Sequence, residues 1–210
     1  MTRQKTTDVV GGSLFASRHR GDLMKILGFL GSPRKEGNTA ILMNEVLSEA
    51  KKGGHEVNIY YLNETNIQGC QGCLHCKKHG GCRIDDDMQS IYDEIQAADS
   101  IVFGTPVYWG GESSQFKTFF DRWFAFIISP PPNYVVSLRP GKKGVFFITQ
   151  GREEEDMFQY LPKRFSSILK GMLGFSAVYT FVAPGLRKVE AKERPELLAK
   201  AREAGKFLIS

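Results

Sequence analysis

The stretch KILGFLGSPRKEGNT, residues 25–39, decides the fold of this chain. Its first six residues are mostly apolar, as in a buried parallel strand, and the Gly-Ser-Pro that follows is typical of a loop. Residues 37–52 then repeat apolar side chains at helical spacing, and Gly53 and Gly54 supply a stop. The stretch therefore predicts a buried strand, a polar loop and a helix in direct succession.

The same alternation continues to the end of the chain. Further strands are predicted at residues 56–62, 100–104, 144–149 and 177–182, and further helices at residues 85–97, 113–127, 156–173 and 191–208. Parallel strands joined by helices of this length need right-handed crossovers, which place helices on both faces of the sheet. The pattern predicts an α/β fold with a five-stranded parallel sheet in the order 2-1-3-4-5.

Length and composition favour one domain. The 210 residues are 41% hydrophobic, which is enough for one core over residues 23–210, and residues 1–22 read as a flexible polar arm. The net charge of +5 gives little support for a nucleic-acid partner. More than half of it comes from residues 1–25, which hold five basic and two acidic residues. No apolar run approaches the roughly 20 residues of a membrane span, and no secretory signal is visible. We expect a cytoplasmic protein with neither nucleic acid nor membrane as partner.

The loop at residues 31–39 is suited to one phosphate. Backbone N–H groups at the start of a helix, together with the helix dipole, attract an anion. Ser32 and Thr39 add hydroxyl groups, Arg34 adds a charged fork, and Gly37 lets the backbone approach closely. The spacing matches neither a P-loop nor GxGxxG, which favours a mononucleotide over ATP or a dinucleotide. The alternative interpretation is a polar turn with an ordinary helix cap.

A second loop, residues 105–111, follows the third predicted strand. In an open α/β sheet ligands bind beyond the carboxyl ends of the strands where the strand order reverses, so the loops after strands one and three meet there. Tyr108 and Trp109 offer aromatic faces to a flat ring, and the glycine pair leaves backbone N–H groups open. Residues 149–152 reach the same place, where Arg152 either stabilises a reduced ring or pairs with a nearby glutamate. The alternative is that Trp109 only packs and the glycines only turn.

All cysteines of the chain lie in one loop, residues 70–82, after the second predicted strand. They are Cys70, Cys73, Cys76 and Cys82, spaced C-x2-C-x2-C-x5-C. Such clustering favours a metal or redox loop over a disulfide framework. A [4Fe-4S] cluster, an unmetallated loop, and a zinc site helped by His75 or His79 all remain open. The acidic residues 85–87 are interpreted as a helix cap with favourable dipole interactions, with Asp85 as the cap and no further chemistry.

Read in order, these motifs resemble a known family. They are Gly31-Ser-Pro-Arg-x-x-Gly-Asn-Thr39, Cys70-x-x-Cys73-x-x-Cys76, Asp85-Asp-Asp-Met88, Thr105-Pro-Val-Tyr108 and Lys117-x-x-x-Asp121-Arg122. Over residues 26–149 the chain resembles the flavodoxin-like NAD(P)H-dependent FMN reductases, and among them most closely the iron-sulfur flavoproteins. The ordered set is far more specific than any single motif.

The resemblance implies a flavodoxin-like three-layer sandwich, bound FMN, and a homodimer or higher homo-oligomer. It also implies a [4Fe-4S] cluster on the four cysteines that passes single electrons between a partner such as ferredoxin and the flavin. By resemblance the phosphate is held by Ser32, Arg34, Gly37, Asn38 and Thr39. By resemblance the ring is held by Pro106, Val107, Tyr108, Trp109, Gly110, Thr149 and Gly151.

The predicted function is an FMN-dependent oxidoreductase linked to NAD(P)H or ferredoxin. The cofactor carries the chemistry, and no catalytic side chain is predicted because no Ser-His-Asp or paired-glutamate arrangement is evident. One alternative is a cluster-free NAD(P)H-dependent reductase of quinones, nitro compounds or free flavin. Another, of a different class, is a non-enzymatic electron carrier or redox sensor.

Overall fold

A computed structural model of the chain describes residues 23–129 and 135–210. The strands are β1 Lys25–Leu30, β2 Glu56–Tyr61, β3 Ser100–Tyr108, β4 Gly111–Glu112, β5 Ile127–Ser129, β6 Val135–Val136, β7 Lys143–Thr149 and β8 Ala177–Ala183. The α-helices are α1 Asn38–Lys52, α2 His75–His79, α3 Met88–Ala97, α4 Ser114–Asp121, α5 Tyr160–Ser167 and α6 Pro195–Ile209. The predicted flexible arm, residues 1–22, and the proline-rich residues 130–134 lie outside the described residues.

Five parallel strands form the centre of the fold in the order β2-β1-β3-β7-β8. Numbered among themselves, these strands follow the predicted order 2-1-3-4-5, which is confirmed. The order reverses between β1 and β3, so the carboxyl ends of these two strands flank the crevice where such sheets bind ligands. β4 pairs antiparallel with the end of β3, and β5 and β6 form a separate antiparallel pair.

The core lies in two layers, one on each face of the sheet. Two consecutive residues of β3 point to opposite faces: Phe103 packs with α3, α4 and α5, whereas Val102 packs with α1 and α6 on the other side. Both side chains are completely buried. The prediction of helices on both faces is therefore confirmed. Within the described residues no helix is both long and apolar enough to span a membrane.

Two helices differ most from their predicted bounds. The helix expected over residues 113–127 ends at Asp121, and residues Arg122–Phe126 form a tighter 3₁₀ turn. Because a 3₁₀ helix has three residues per turn, Trp123 and Phe126 lie on the same side of it, and both are buried. The helix expected over residues 156–173 begins only at Tyr160, and its last part, Ile168–Met172, widens into a π-helix.

The third strand is longer than predicted. Residues 105–108 were expected to be loop, but pairing with β7 continues to Pro106 opposite Thr149, and pairing with β4 takes in Val107 and Tyr108. Neighbouring strands on both sides supply the hydrogen bonds that keep this segment extended. The predicted ring-binding loop is consequently a β-hairpin.

Candidate functional site

The loop between β1 and α1 is tightly packed at its start, and at its end it leaves the N-terminus of α1 without a side-chain cap. The Gly31 N–H donates to the Gly104 carbonyl at 2.8 Å, and a Cβ on Gly31 would lie 2.8 Å from Cβ of Phe116. At the other end Gly37, which precedes α1, has no side chain with which to cap the helix. The N–H groups in the first turn of α1 are therefore left for another acceptor, as in helix N-termini that bind phosphate.

Two predicted cofactor residues from distant loops meet here. Thr39 and Thr149 are both buried, and their hydroxyl oxygens lie 2.7 Å apart. Arg34 is exposed, and its guanidinium bonds to no side chain or carbonyl in the part of the chain that the structure describes. Its neighbour Lys35 is instead paired with Glu64 at 2.5 Å. Of the two cations, Arg34 is the one available to an anion.

Asn38 is placed differently from the other predicted phosphate residues. Its side-chain Nδ2 donates to the Leu186 carbonyl at 3.2 Å, and its Oδ1 accepts the Ala191 N–H at 2.8 Å. Both ends of the amide thus hold the segment that follows β8. Any contact between Asn38 and a phosphate would have to come from its backbone N–H.

The hairpin at the end of β3 has an unusual turn. Tyr108 pairs with Gly111, and the two residues between them, Trp109 and Gly110, have φ angles of 47° and 82°. Two-residue hairpins favour this left-handed backbone, but a bulky residue such as tryptophan rarely adopts it. The Trp109 side chain is fully exposed, and the Tyr160 hydroxyl donates to the Gly110 carbonyl from α5. Such backbone strain is typical of functional sites. The exposed Trp109 ring also leaves an aromatic face accessible to a ligand.

Ser113 connects the hairpin to the first loop. Its hydroxyl donates to the Gly31 carbonyl at 2.5 Å and also caps α4 by accepting the Phe116 N–H. Its N–H donates to the Thr105 hydroxyl at 3.1 Å. From sequence, Ser113 is predicted only to begin a helix, since a hydrogen bond to a residue 82 positions away leaves no local signal.

A cavity of about 620 Å³ opens between the hairpin and the end of β7, within the usual size range of ligand sites. It brings together residues 107–110 and 150–152, and it adds two residues that the sequence did not indicate, Phe158 and Arg187. Gln150 lies at this cavity with a buried side chain, and among the described residues its Oε1 has no hydrogen-bond partner. An unpaired buried acceptor beside a cavity suits a ligand that offers an N–H group, as the flavin ring does.

The cysteine loop has the donors of a metal site but not the arrangement. Cys70 and Cys73 are exposed, Cys76 and Cys82 are half-buried, and all four are free thiols. Within residues 23–129 and 135–210, no three Cys, His, Asp or Glu side chains are placed to share a metal ion. The four-cysteine site therefore stays a prediction.

Both ends of the cysteine loop are firmly held. Asp86 and Arg122 form a buried ion pair in which Nη1 and Nη2 donate to the carboxylate at 2.6 and 3.2 Å. Asp86 also accepts the N–H of Gln68 at 2.8 Å and of Met88 at 3.1 Å. Burial raises the pKa of the Asp86 carboxyl, but the hydrogen bonds from Arg122 and the backbone outweigh it and lower that pKa overall.

The prediction that Asp85 caps the helix at residues 85–97 is wrong. α3 begins at Met88 rather than at Asp85, and the side chain that accepts its first N–H is Asp86. Asp86 is also more than a cap, because its partner Arg122 donates to the Gln68 carbonyl at 2.8 Å, just before the cysteines. On the far side, Gln89 Nε2 donates to the Cys82 carbonyl at 2.9 Å.

Comparison with known proteins places this chain in a family. A family model described as NADPH-dependent FMN reductase matches residues 24–154. An iron-sulfur flavoprotein of Methanocaldococcus jannaschii is 42% identical over 99 residues, which cover 47% of this chain and 51% of that protein. An iron-sulfur flavoprotein of Methanosarcina thermophila is 39% identical over 99 residues, covering 47% and 52%. The chain spans about half the length of the curated relatives it matches.

A solved structure extends the comparison to nearly the whole fold. The NAD(P)H:quinone oxidoreductase of Methanothermobacter marburgensis superimposes with a TM-score of 0.73 at 18% identity, covering 89% of this chain and all of that one. At this level of identity the likeness shows the fold alone.

Proposed function

Because this chain belongs to the NADPH-dependent FMN reductase family, we propose that it is an FMN-dependent oxidoreductase that moves electrons from NAD(P)H to a small acceptor. We propose the edge of the sheet between β1, β3 and β7 as the FMN site. The observation that carries this proposal is the contact of Thr39 with Thr149, which joins the phosphate loop to the loop beside the cavity.

The chain's own residues would bind and orient the cofactor. Ser32, Arg34, Thr39 and the first turn of α1 would hold the phosphate, and the hairpin with residues 149–151 would hold the ring. The Gln150 Oε1 would accept an N–H of the ring, and Trp109 would shield it from water. Bound FMN would supply the electron chemistry itself.

Anaerobic spectroscopy tests this function. Protein purified with FMN should be yellow, and NADPH should bleach the flavin absorbance, with turnover on addition of a quinone. Bleaching by a reduced protein donor but not by NADPH or NADH would instead indicate an electron carrier. Folded protein that takes up no FMN would contradict the proposal altogether.

We also propose that the four cysteines bind a [4Fe-4S] cluster that connects the flavin to a one-electron donor such as ferredoxin. Supporting this are the spacing of four free thiols and the similarity to proteins named iron-sulfur flavoproteins. The thiols must draw together for a cluster to bind. Gly72, Gly80 and Gly81 would permit that movement, because each has a left-handed backbone and no atom within 4 Å of where a Cβ would stand.

Replacing Cys82 by Ala should abolish iron binding and leave FMN bound, because the cysteine loop and the flavin cavity are built from separate residues. Iron, acid-labile sulfide and FMN per chain are measured after anaerobic reconstitution. His79→Ala is the matched control and should keep its iron. Full iron retention in Cys82→Ala would refute the ligand assignment, and zinc lost from both variants would indicate a mixed zinc site.

A further inference from the structure

We propose that Arg187 is a specificity-determining residue that binds an anionic group, a phosphate or a carboxylate, on the second substrate at the flavin cavity. This inference rests on the proposed function, since it concerns the molecule that exchanges electrons with the flavin. Arg187 belongs to the segment after β8, which supplied none of the predicted site residues.

Arg187 lies against the loop that ends β7. It lines the cavity together with the hairpin and Gly151. A Cβ built on Gly151 would stand 3.4 Å from both Cβ and Nε of Arg187. The glycine therefore gives the arginine side chain room to lie close to the backbone of the predicted ring-binding loop.

The backbone that carries Arg187 is held by both predicted cofactor loops. On one side the Leu186 N–H donates to the Gln150 carbonyl at 3.0 Å, and the Gly185 N–H donates to the Arg152 carbonyl at 2.6 Å. On the other side Asn38 donates to the Leu186 carbonyl. Because this backbone is already ordered, less conformational entropy is lost when Arg187 binds a ligand, which favours affinity.

The positive charge of Arg187 is not paired with any acidic residue in the described part of the chain. Its guanidinium is exposed and forms neither a hydrogen bond nor an ion pair with residues 23–129 or 135–210. Two acidic residues that follow β7 are engaged with other cations, since Glu153 pairs with Lys188 at 2.5 Å and Glu155 with Lys200 at 2.9 Å.

A second cation strengthens the positive character of the cavity. Arg152 also lines it, and its contact with Glu154, at 3.7 Å between two exposed side chains, is a weak one. A guanidinium presents a planar pair of donors that matches phosphate and carboxylate geometry. The cavity therefore favours a substrate with an anionic group over a neutral one of the same shape.

The test compares Arg187→Gln with the matched control Lys188→Gln, which removes an adjacent cation already paired with Glu153. In the donor arm, KM is measured for NADPH and NADH. In the acceptor arm, KM is measured for a neutral quinone and for the same quinone carrying a carboxylate. For Arg187→Gln we expect kcat/KM to fall about tenfold through KM, either for the dinucleotide or for the carboxylated quinone.

The two arms distinguish the sources of the anion. A rise confined to the donor KM identifies a dinucleotide phosphate, and a rise confined to the carboxylated quinone identifies the acceptor. Values for the neutral quinone, the FMN dissociation constant and the Lys188→Gln protein should stay within twofold of wild type. Arg187→Lys should recover part of the loss.

Three results would overturn the inference: no change in Arg187→Gln, an equal loss with the neutral quinone, or a loss of FMN affinity. These results differ from a failure of the proposed function. If the proposed function were wrong, the wild-type protein itself would bind no FMN or show no turnover with NADPH or NADH.

Discussion

At the scale of single residues, the predicted phosphate loop contains two adjacent cations with different surroundings. Lys35 is engaged with Glu64, whereas the guanidinium of Arg34 has no partner among the described residues. Sequence alone could not separate them, because both are basic and both lie in the loop. Glu64 follows β2, and only the parallel pairing of β1 with β2 brings it to Lys35.

Replacing Arg34 by Ala should weaken FMN binding by about 1.5–3 kcal/mol, because a charge-assisted hydrogen bond to the phosphate is lost. Titration of the apoprotein with FMN, followed by flavin fluorescence, measures the dissociation constant. Lys35→Ala should bind FMN nearly as well as wild type. Riboflavin, which has no phosphate, should bind Arg34→Ala and wild type equally, and an equal loss with riboflavin would remove Arg34 from this role.

At the scale of elements, the sequence predicted the type of each segment better than its ends. β3 extends beyond its predicted end because β4 and β7 pair with it. α4 ends earlier than predicted, and the residue that follows it, Arg122, points inward and bonds to Asp86. β4 follows β3 after a two-residue turn, but β7 is distant in sequence from β3, and Asp86 lies 36 positions from Arg122. The ion pair joins the start of α3, the end of α4 and Gln68, two residues before the cysteine loop, so it positions three segments together.

Asp86→Asn should lower the free energy of unfolding by about 3–5 kcal/mol, because Arg122 would keep a buried charge without its counter-ion. Urea unfolding measures the change. Asp85→Asn, at an exposed neighbouring position, should stay within about 0.5 kcal/mol of wild type.

If Asp86→Asn does not fold, the double variant Asp86→Leu/Arg122→Met provides the comparison. Removal of both charges should recover most of the stability. An Asp86→Asn protein as stable as Asp85→Asn would contradict the anchoring role.

At the scale of the whole molecule, the edge of the sheet opposite the cavity carries a buried lysine. Lys142 precedes β7, is 1% exposed, and donates through Nζ to the carbonyls of Gln96, at 2.9 Å, and Ala98. Burial, assisted by the positive charge of Arg139 and opposed by Asp99, lowers the pKa of Lys142 to about 7. Its ordinary value is 10.5.

The depressed pKa makes stability depend on pH. Between about pH 7 and 10.5 the unfolded chain binds more protons than the folded one at this lysine, so its contribution to the free energy of unfolding rises with pH, by about 1 kcal/mol per pH unit. Urea unfolding at pH 7 and pH 9 should show a smaller rise for Lys142→Met than for wild type. Identical pH dependence in the two proteins would show that Lys142 does not titrate in this range.

The sequence by itself predicted the α/β class, the strand order and the end of the sheet at which the loops after β1 and β3 lie. Hydrophobic periodicity, loop glycines and the alternation of strand with helix are local signals, and the rules of parallel sheets convert them into topology. This is why residues 31–39 and 105–111 could be expected at one edge. The prediction that Thr39 and Thr149 belong to one site is consistent with their direct contact.

Only the tertiary structure decided which polar groups remain unpaired and which segment completes the cavity. The side-chain amide of Asn38 bonds to Ala191, 153 positions away, and the segment it holds brings Arg187 to the cavity that Gln150, with its unpaired Oε1, also lines. Such contacts depend on how the strands β7 and β8 lie in register and on where their loops end. No property of either short segment encodes its partner, because hydrogen bonds between distant residues form only once the sheet has placed them side by side.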